Sequence, residues 1–344
     1  MIIQSNLGSI SMHLHNPTAL VTRFPGGAPA RPGTFMLSFD CEGKWGFADC
    51  LTDRLDWLYT TRNLETAYGR LTELLEKYRI EATFAFTAAF TMTADEFEVL
   101  TPDLAELMAE AAPWMTSALA DIRKPGSEGW FSNKCFDMVR HAGRHEIASH
   151  GFSHLPWKAP YAGRAALDAE LTMCRKVAAF GQDAVTTFVF PRNQVAHLDL
   201  LKEHGFLAYR ESRASRSRAA NLANEFNILS RSEAYDFSDE LPVPVPAGRK
   251  LNWRYGLRRC VPSAVTVLRW QNMLRESARS GGIVHAWTHP ENFMDGKDMF
   301  PMLEEILRFA ADERDAGRLQ IMTIADFVTR RQDQTRKEPS GALC

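Results

Sequence analysis

Two histidines four positions apart, His150 and His154, follow a short apolar run and offer a binding site for a divalent metal. Upstream, an apolar strand-like run ends in Asp40 and Glu42, with Cys41 between them. Because alternate side chains of a strand share a face, we expect the two carboxylates to point together and the thiol to point away. The pattern predicts a metal site of two histidines and one carboxylate, with the second carboxylate as a general base for hydrolysis.

A third histidine is predicted to complete the proton chemistry. His285, Trp287 and His289 alternate along an apolar stretch, so they share one face of the predicted strand. Pro290 ends that strand, so His289 lies at its open end and is the candidate general acid. His285 lies deeper and is predicted to be a hydrogen-bonded core residue. Arg192, after another apolar run, is predicted to hold a carboxylate through a bidentate pair.

The elements that would position these groups alternate between strand and helix. Seven short apolar runs are predicted as buried parallel strands, at 34–39, 82–89, 146–149, 186–190, 207–210, 283–288 and 319–323. Helical spacing predicts four amphipathic helices, at 64–78, 167–177 with Gly181 as the C-cap, 263–281 and 302–317. No Gly-x-Gly-x-x-Gly turn follows the first strand, which argues against a dinucleotide-binding fold and favours a TIM-like α/β barrel.

The polar candidates fit that barrel, because barrel enzymes build their sites at the carboxyl ends of the strands. Each of these lies at or just past the end of a predicted strand: Asp40, His150 with His154, Arg192, Arg210 and His289. Two long stretches, 91–140 and 211–262, exceed an ordinary connection and are predicted to form lids or rims over the same face.

Composition sets the class of protein and its partners. The 344 residues are 45% hydrophobic and 24% charged, with a net charge of -2 and a pI near 6.6, so no pull toward nucleic acid is expected. Six scattered cysteines favour a reducing cytosol, and no run is long enough to span a membrane. We predict an N-terminal extension at 1–33, one barrel domain at 34–330, and a C-terminal tail at 331–344.

The order of the motifs resembles the polysaccharide deacetylase family, also called carbohydrate esterase family four. The matching segments are a strand ending in Phe-Asp with a second acid nearby, His-Glu-Ile-x-Ser-His-x-x-x-His, an aromatic-Pro-Arg segment, and apolar-x-His-Pro, within about 34–330. The resemblance implies a distorted (β/α) barrel of about seven parallel strands. It also implies one divalent metal, usually zinc, and removal of an N-acetyl or related acyl group from a sugar.

The resemblance also implies roles for individual residues. By matching position, Asp40 is the general base, His289 the general acid, and the metal ligands are Glu42, His150 and His154. The detailed motifs look most like members that serve surface-polysaccharide or lipopolysaccharide biosynthesis, which implies a cytosolic enzyme and a nucleotide- or lipid-linked sugar.

Three departures from the family pattern leave roles open. Cys41 stands where a metal-binding Asp is commonest, and the acid follows as Glu42. The reordered arginine motif leaves either Arg192 or Arg210 to hold the base. The Asp that orients the acid histidine has no clear counterpart, although Asp236 and Asp239 lie in the right interval.

Other readings of the same residues remain open at this point. The centre could hydrolyse a non-sugar amide or a formamido sugar, since any fitting acyl-nitrogen bond would serve. A barrel that binds a glycan without cleaving it is a second alternative. The third is an iron(II) oxygenase, which has the right ligand count but leaves Asp40 and His289 without a role.

Overall fold

In the computed structural model, nine parallel strands form one sheet. The structure describes residues 31–337, apart from 183–184, 215–216, 236–237, 239 and 296–297. The strands are β1 (Gly33–Cys41), β2 (Thr83–Phe86), β3 (Glu146–Ser149), β4 (Thr187–Val189), β5 (Ala208–Arg210), β6 (Val243–Val245), β7 (Arg249–Lys250), β8 (Ile283–Thr288) and β9 (Leu319–Ile321).

The sheet curls into a distorted barrel, which confirms the predicted fold. Its order is β6-β5-β4-β3-β2-β1-β8-β7, and β9 pairs with the start of β1. The two end strands, β6 and β7, are joined by residues 246–248, so the chain itself closes the ring at this seam. His285 on β8 donates its Nδ1 proton to the Pro246 carbonyl at 2.7 Å, which ties the seam to the barrel wall.

The sequence did not predict β6 and β7. Strand β6 carries Pro244 at its centre and β7 is two charged residues long, so neither registers as an apolar run. Both lie within the stretch 211–262, which was predicted to be a lid or rim. Part of that stretch therefore belongs to the barrel wall.

The helices surround the sheet, and short 3-10 turns follow several of the strands. The helices are α1 (Asp53–Leu58), α2 (Thr61–Tyr78), α3 (Ala94–Leu100), α4 (Ala105–Glu110), α5 (Ala112–Ile122), α6 (Asn133–His141), α7 (Arg164–Lys176), α8 (Ala178–Gln182), α9 (Leu198–Glu203), α10 (Arg218–Glu225), α11 (Ser263–Ser280), α12 (Met299–Asp315) and α13 (Ile324–Lys337).

All four predicted helices form, with one boundary misplaced. Helix α2 buries the apolar positions that defined its pattern and is capped by the Thr60 side chain. Helix α11 ends at Ser280 and is capped by Gly281, which has a φ of 75°. Gly181 is not the C-cap of α7, because the chain is extended at Val177 and α8 begins at Ala178.

The stretch 91–140 is helical and packs beside the carboxyl ends of the strands. Trp114 on α5 is fully buried and donates its indole proton to the Ser153 carbonyl at 2.9 Å. Among the described helices, none combines the length and apolarity that a membrane crossing requires. Residues 1–30 of the predicted extension and 338–344 of the predicted tail lie outside the described residues, whereas 331–337 continue helix α13.

Candidate active site

The end of β1 delivers two carboxylates to the barrel interior. Asp40 and Glu42 are both buried, at 2% and 7% exposed. Cys41 between them faces the outer hydrophobic core, where burial raises the pKa of its thiol well above the ordinary value. The alternation predicted from the sequence is thus present, and the Cys41 thiol is directed away from the two carboxylates.

The two histidines of the first motif converge on the second carboxylate. His150 Nε2 and His154 Nε2 each lie 3.1 Å from Glu42 Oε1. The Nδ1 of His150 is 2.7 Å from the Val189 carbonyl and donates to it, so a neutral ring presents the Nε2 lone pair to Glu42. Lone pairs aimed at a carboxylate repel it unless a proton or a metal cation lies between them.

This donor set fits a divalent metal. Both ring nitrogens of His154 are buried without a hydrogen-bond partner among the described residues, although Nε2 is close to Glu42. Ligand atoms of a tetrahedral zinc ion lie about 3.3 Å apart, close to the separations found here. Burial acts to raise the pKa of Glu42, but His154 and His289 outweigh it and hold that pKa well below its usual range. Glu42 is therefore a carboxylate at neutral pH, the form that binds a metal ion.

The loop that carries His154 is held by a residue that the sequence did not single out. Glu170 on α7 accepts from the Ser153 amide at 2.7 Å, the Ser153 hydroxyl at 2.8 Å and the Leu155 amide at 3.3 Å. These bonds flank His154, whose φ of 62° is strained for a residue with a side chain. Gly151 has a φ of 82°, and a Cβ there would meet the Glu170 carboxylate at 2.9 Å. Glu170 and Gly151 together fix the loop.

Arg210 holds Asp40, which corrects the prediction that Arg192 would do so. Its two terminal nitrogens donate to the two Asp40 oxygens at 2.7 Å each, and Arg210 is itself 1% exposed. Asn193 accepts a further bond from Arg210 at 3.0 Å. Burial acts to raise the pKa of Asp40, and the charge and hydrogen bonds of Arg210 reverse this, so the pKa is lowered. Asp40 is ionised at neutral pH.

Arg192 lies elsewhere on the rim. Its guanidinium donates to Asp49 at 2.5 Å and lies 5.2 Å from the centre of the Trp114 ring. Arg192 and Asn193 both have positive φ angles, 54° and 53°. This left-handed turn directs Asn193 toward Arg210 and Arg192 toward Asp49, an outcome that the order of residues does not reveal.

The third histidine faces the same carboxylate from β8. His289 Nε2 lies 3.3 Å from Glu42 Oε1, and its side chain is 19% exposed. The Asn292 side-chain amide lies 3.3 Å from His289 Nδ1, which orients the ring with Nε2 toward the centre. Asn292 occupies the place expected of an orienting Asp. The candidates Asp236 and Asp239 are outside the described residues.

His285 is the core histidine that the sequence predicted. Its Nε2 accepts from the Ser38 hydroxyl at 2.9 Å, while Nδ1 donates to the Pro246 carbonyl. Burial lowers the pKa of His285 to about 4, so the ring is neutral. Ser38 also accepts from Arg210 at 3.2 Å, which links the seam of the barrel to the residue that holds Asp40.

The buried carboxyl of Glu291 holds the backbone at Glu42. It accepts from the amides of Glu42 and Gly43 at 3.2 and 2.9 Å. Burial, with the nearby charge of Glu42, raises the pKa of Glu291 to about 8. Glu291 is therefore mostly protonated at neutral pH and adds little negative charge to the centre.

Gly46 leaves room for the Glu42 side chain. A Cβ at Gly46 would lie 1.9 Å from Glu42 Oε2, which is inside van der Waals contact. The other nearby atoms also belong to the Glu42 side chain, so the fold itself does not require glycine here. The Glu42 carboxylate occupies the space that a side chain at position 46 would need.

We therefore expect Gly46→Ala to weaken metal binding while the protein stays folded. The added methyl group would displace the flexible Glu42 carboxylate rather than the backbone, and changes beside a ligand typically cost about 10–100-fold in metal affinity. Competition with a chromogenic zinc chelator would measure the affinity, with the melting temperature as the check on folding. Gly69→Ala, on α2 with open space around its Cβ position, is the matched control. Unchanged zinc affinity in Gly46→Ala would contradict the assignment of Glu42.

Solved structures with the same fold include two proteins assigned as polysaccharide deacetylases. The one from Mycobacterium smegmatis has a TM-score of 0.55 at 16% identity, over 89% of this chain and 95% of that chain. The one from Pseudomonas aeruginosa PAO1 has a TM-score of 0.53 at 11% identity, over 89% and 92%. PuuE allantoinase has a TM-score of 0.52 at 12% identity, over 93% and 97%.

Sequence comparison adds no closer relative. No family model matches the chain, and no curated protein matches its sequence. The likeness of the solved structures establishes the fold, which is the fold of polysaccharide deacetylases, as the order of the sequence motifs predicted.

Proposed function

We propose that this protein is a metal-dependent deacetylase that hydrolyses an N-acetyl or related N-acyl group on a sugar. The observation that carries the proposal is the convergence of three imidazoles on the Glu42 carboxylate, beside a second carboxylate that Arg210 keeps ionised. The fold shared with polysaccharide deacetylases supports the sugar as substrate.

Glu42, His150 and His154 would hold the metal, with zinc favoured by two imidazoles and one carboxylate. The metal, when bound, supplies Lewis acidity, which lowers the pKa of water from about 15.7 toward about 7 and polarises the acyl oxygen. The remaining chemistry belongs to side chains on either side of these ligands.

Asp40 and His289 would perform opposite proton transfers. Asp40 is ionised and within 4.8 Å of the Glu42 and His289 ligand atoms, so it would accept the proton of the attacking water. His289 faces the same space through Nε2; in its imidazolium form it would donate the Nε2 proton to the departing amine and return to the neutral ring. Arg210 aims Asp40, and Asn292 aims His289, so each transfer has a positioning partner.

The finer identity of the substrate stays a prediction. The motifs of the sequence suggest a nucleotide- or lipid-linked sugar of surface-polysaccharide or lipopolysaccharide biosynthesis, handled in the cytosol. The second candidate function is hydrolysis of a non-sugar amide. The likeness to PuuE allantoinase over 93% of the chain supports that candidate.

Release of acetate and formate from a panel of N-acetyl and N-formyl sugars, with allantoin as the non-sugar amide, would test the proposal. The metal content of the same protein would be measured in parallel. We expect one equivalent of zinc and acetate or formate released from a sugar. Zinc with hydrolysis of allantoin alone would favour the second candidate. Zinc without any hydrolysis would favour a glycan-binding barrel, and iron would favour an oxygenase.

The pH dependence of kcat/KM should be bell-shaped, and its acidic limb should lie at an unusually low pH. Because the pKa of Asp40 is lowered, the base stays ionised below the usual range near pH 4. Asp40→Asn and His289→Ala should each lower kcat/KM by roughly 10²–10⁴-fold, and His289→Ala should also remove the basic limb. Kinetics between pH 4 and 10, with zinc content measured for each variant, would check this. A wild-type rate in either variant would exclude its catalytic role.

A further inference from the structure

A cation beside the candidate catalytic groups has no role in the chemistry described so far. Lys250 on β7 lies opposite Trp287 in the pairing with β8. Trp287 precedes His289 by two residues in the sequence. Burial and the charge of Arg258 lower the pKa of Lys250 overall. The negative charges of Glu42 and Asp40 act in the opposite direction. Lys250 therefore lies beside Trp287, whose ring centre is 5.8 Å from that of the candidate acid His289.

The Lys250 ammonium makes no ion pair with a carboxylate among the described residues. Its close neighbours are aromatic, with the ammonium 5.5 Å from the Trp287 ring centre and 5.8 Å from that of Trp253. The contrast with Arg210 is direct, because that cation is bound on both nitrogens by Asp40. A half-buried lysine held only by aromatic faces has unused capacity to donate hydrogen bonds.

A second unused donor lies beside it. The indole Nε1 of Trp253 is buried and has no acceptor among the described residues. Trp253 also stacks on Tyr255, with ring centres 4.6 Å apart and planes inclined by 13°. A buried N–H without an acceptor costs free energy that a ligand oxygen would recover, so Lys250 and Trp253 together form a candidate oxyanion-binding pair.

The aromatic residues connect this pair to the catalytic groups on one side and to the surface on the other. Arg210, which holds Asp40, lies 4.7 Å from the Trp287 ring centre. At the outer end, Arg54 lies 4.8 Å from the centre of the Tyr255 ring. Cations and aromatic rings thus lie in successive contact from the candidate base outward, a surface suited to a sugar ring that carries a negative charge.

We propose that Lys250 and Trp253 form a subsite for an anionic group, phosphoryl or carboxylate, carried by the N-acylated sugar beside the scissile amide. This inference rests on the proposed function and names the class of its substrate. Lys250 would donate to the oxyanion through its ammonium and Trp253 through its indole N–H. Neutral sugars would leave both donors unpaired and would bind more weakly.

The test compares three sugars that share one ring: N-acetylglucosamine, N-acetylglucosamine 1-phosphate and N-acetylmuramic acid, which carries a carboxylate. We expect wild-type protein to prefer at least one anionic sugar over the neutral one by about tenfold or more in kcat/KM, mainly through KM. Lys250→Gln should abolish most of that preference, and Lys250→Arg should keep most of it. The anionic sugar with the higher kcat/KM shows whether the subsite favours a phosphoryl group or a carboxylate.

Two further measurements separate a specific role from a structural one. Lys202→Gln, an exposed lysine of α9, is the control and should leave the preference intact. Calorimetric binding of the three sugars to wild type and Lys250→Gln gives a readout that does not require turnover. Equal losses for neutral and anionic sugars in Lys250→Gln, or no preference in the wild type, would overturn the subsite.

The same data distinguish this inference from the proposed function. If no sugar releases acetate from zinc-loaded protein, the proposed function fails for these sugars. Tighter binding of an anionic sugar by wild type than by Lys250→Gln would still support the subsite in that case. Binding that is equally weak for all three sugars in both proteins would contradict the subsite.

Discussion

His154→Ala should purify without stoichiometric metal and lose roughly 10³-fold or more in kcat/KM, because a Lewis acid supplies several kcal/mol of stabilisation in such reactions. His154 contributes an Nε2 that is buried, 3.1 Å from Glu42 and without a hydrogen-bond partner among the described residues. Alanine removes that ligand atom, while Glu170 and Gly151 still define the loop. Metal analysis after dialysis, together with acetate release, would measure both effects.

The matched control is a histidine that pairs with a carboxylate away from the candidate ligands. His204 lies 2.8 Å from Asp168 and belongs to neither of the candidate metal clusters found among the described residues. His204→Ala should keep one equivalent of zinc and near wild-type activity. A full equivalent of zinc in His154→Ala would exclude this residue as a ligand.

Arg210→Met should lower kcat/KM by roughly 10²-fold or more at neutral pH, and the acidic limb should move toward neutral pH. In the wild type, burial raises the pKa of Asp40 and Arg210 overcomes this effect. Without Arg210, burial acts unopposed and the pKa of Asp40 rises, so the base is protonated at pH values where the wild type is fully active. Kinetics over the same pH range would show the shift.

Arg210→Lys and Arg192→Lys form the comparison that identifies the positioning arginine. Lysine keeps the charge at 210 but cannot reproduce the two parallel donors, so kcat should fall while the acidic limb stays low. Arg192→Lys should have a small effect, because Arg192 pairs with Asp49 rather than with Asp40. Breaking a buried ion pair costs about 3–5 kcal/mol of stability, so melting temperatures must accompany the kinetics. A larger loss in Arg192→Lys would contradict this ranking.

Local spacing predicted the fold and the groups that come together at its centre. Alternation along β1 placed Asp40 and Glu42 on one face, and four-residue spacing placed His150 beside His154. Each inference needs only the geometry of one strand or one loop, and parallel strands bring their carboxyl ends together at one edge. These are the residues that the structure gathers, while their catalytic and metal-binding roles remain proposals.

Contacts that depend on a turn geometry or on a partner distant in the chain could not be predicted from the sequence. Arg210 ends β5 and Arg192 lies three residues past the end of β4, and only the left-handed turn at 192–193 shows which of them meets Asp40. Glu170 acts on a loop 17 residues away from its own position, and nothing in the pattern of α7 marks its burial. Asn292 lies next to Pro290-Glu291 and could have been proposed as a partner three residues from His289.

Metal dependence is the central claim, and titration of metal-stripped protein with zinc tests it most directly. Calorimetry would follow binding while acetate or formate release from the best N-acyl sugar is measured in the same samples. The account predicts negligible hydrolysis without metal and a linear rise that stops at one zinc per chain. Full activity in protein shown to be free of metal, or zinc binding at one equivalent with no gain in hydrolysis of any N-acyl sugar, would contradict it.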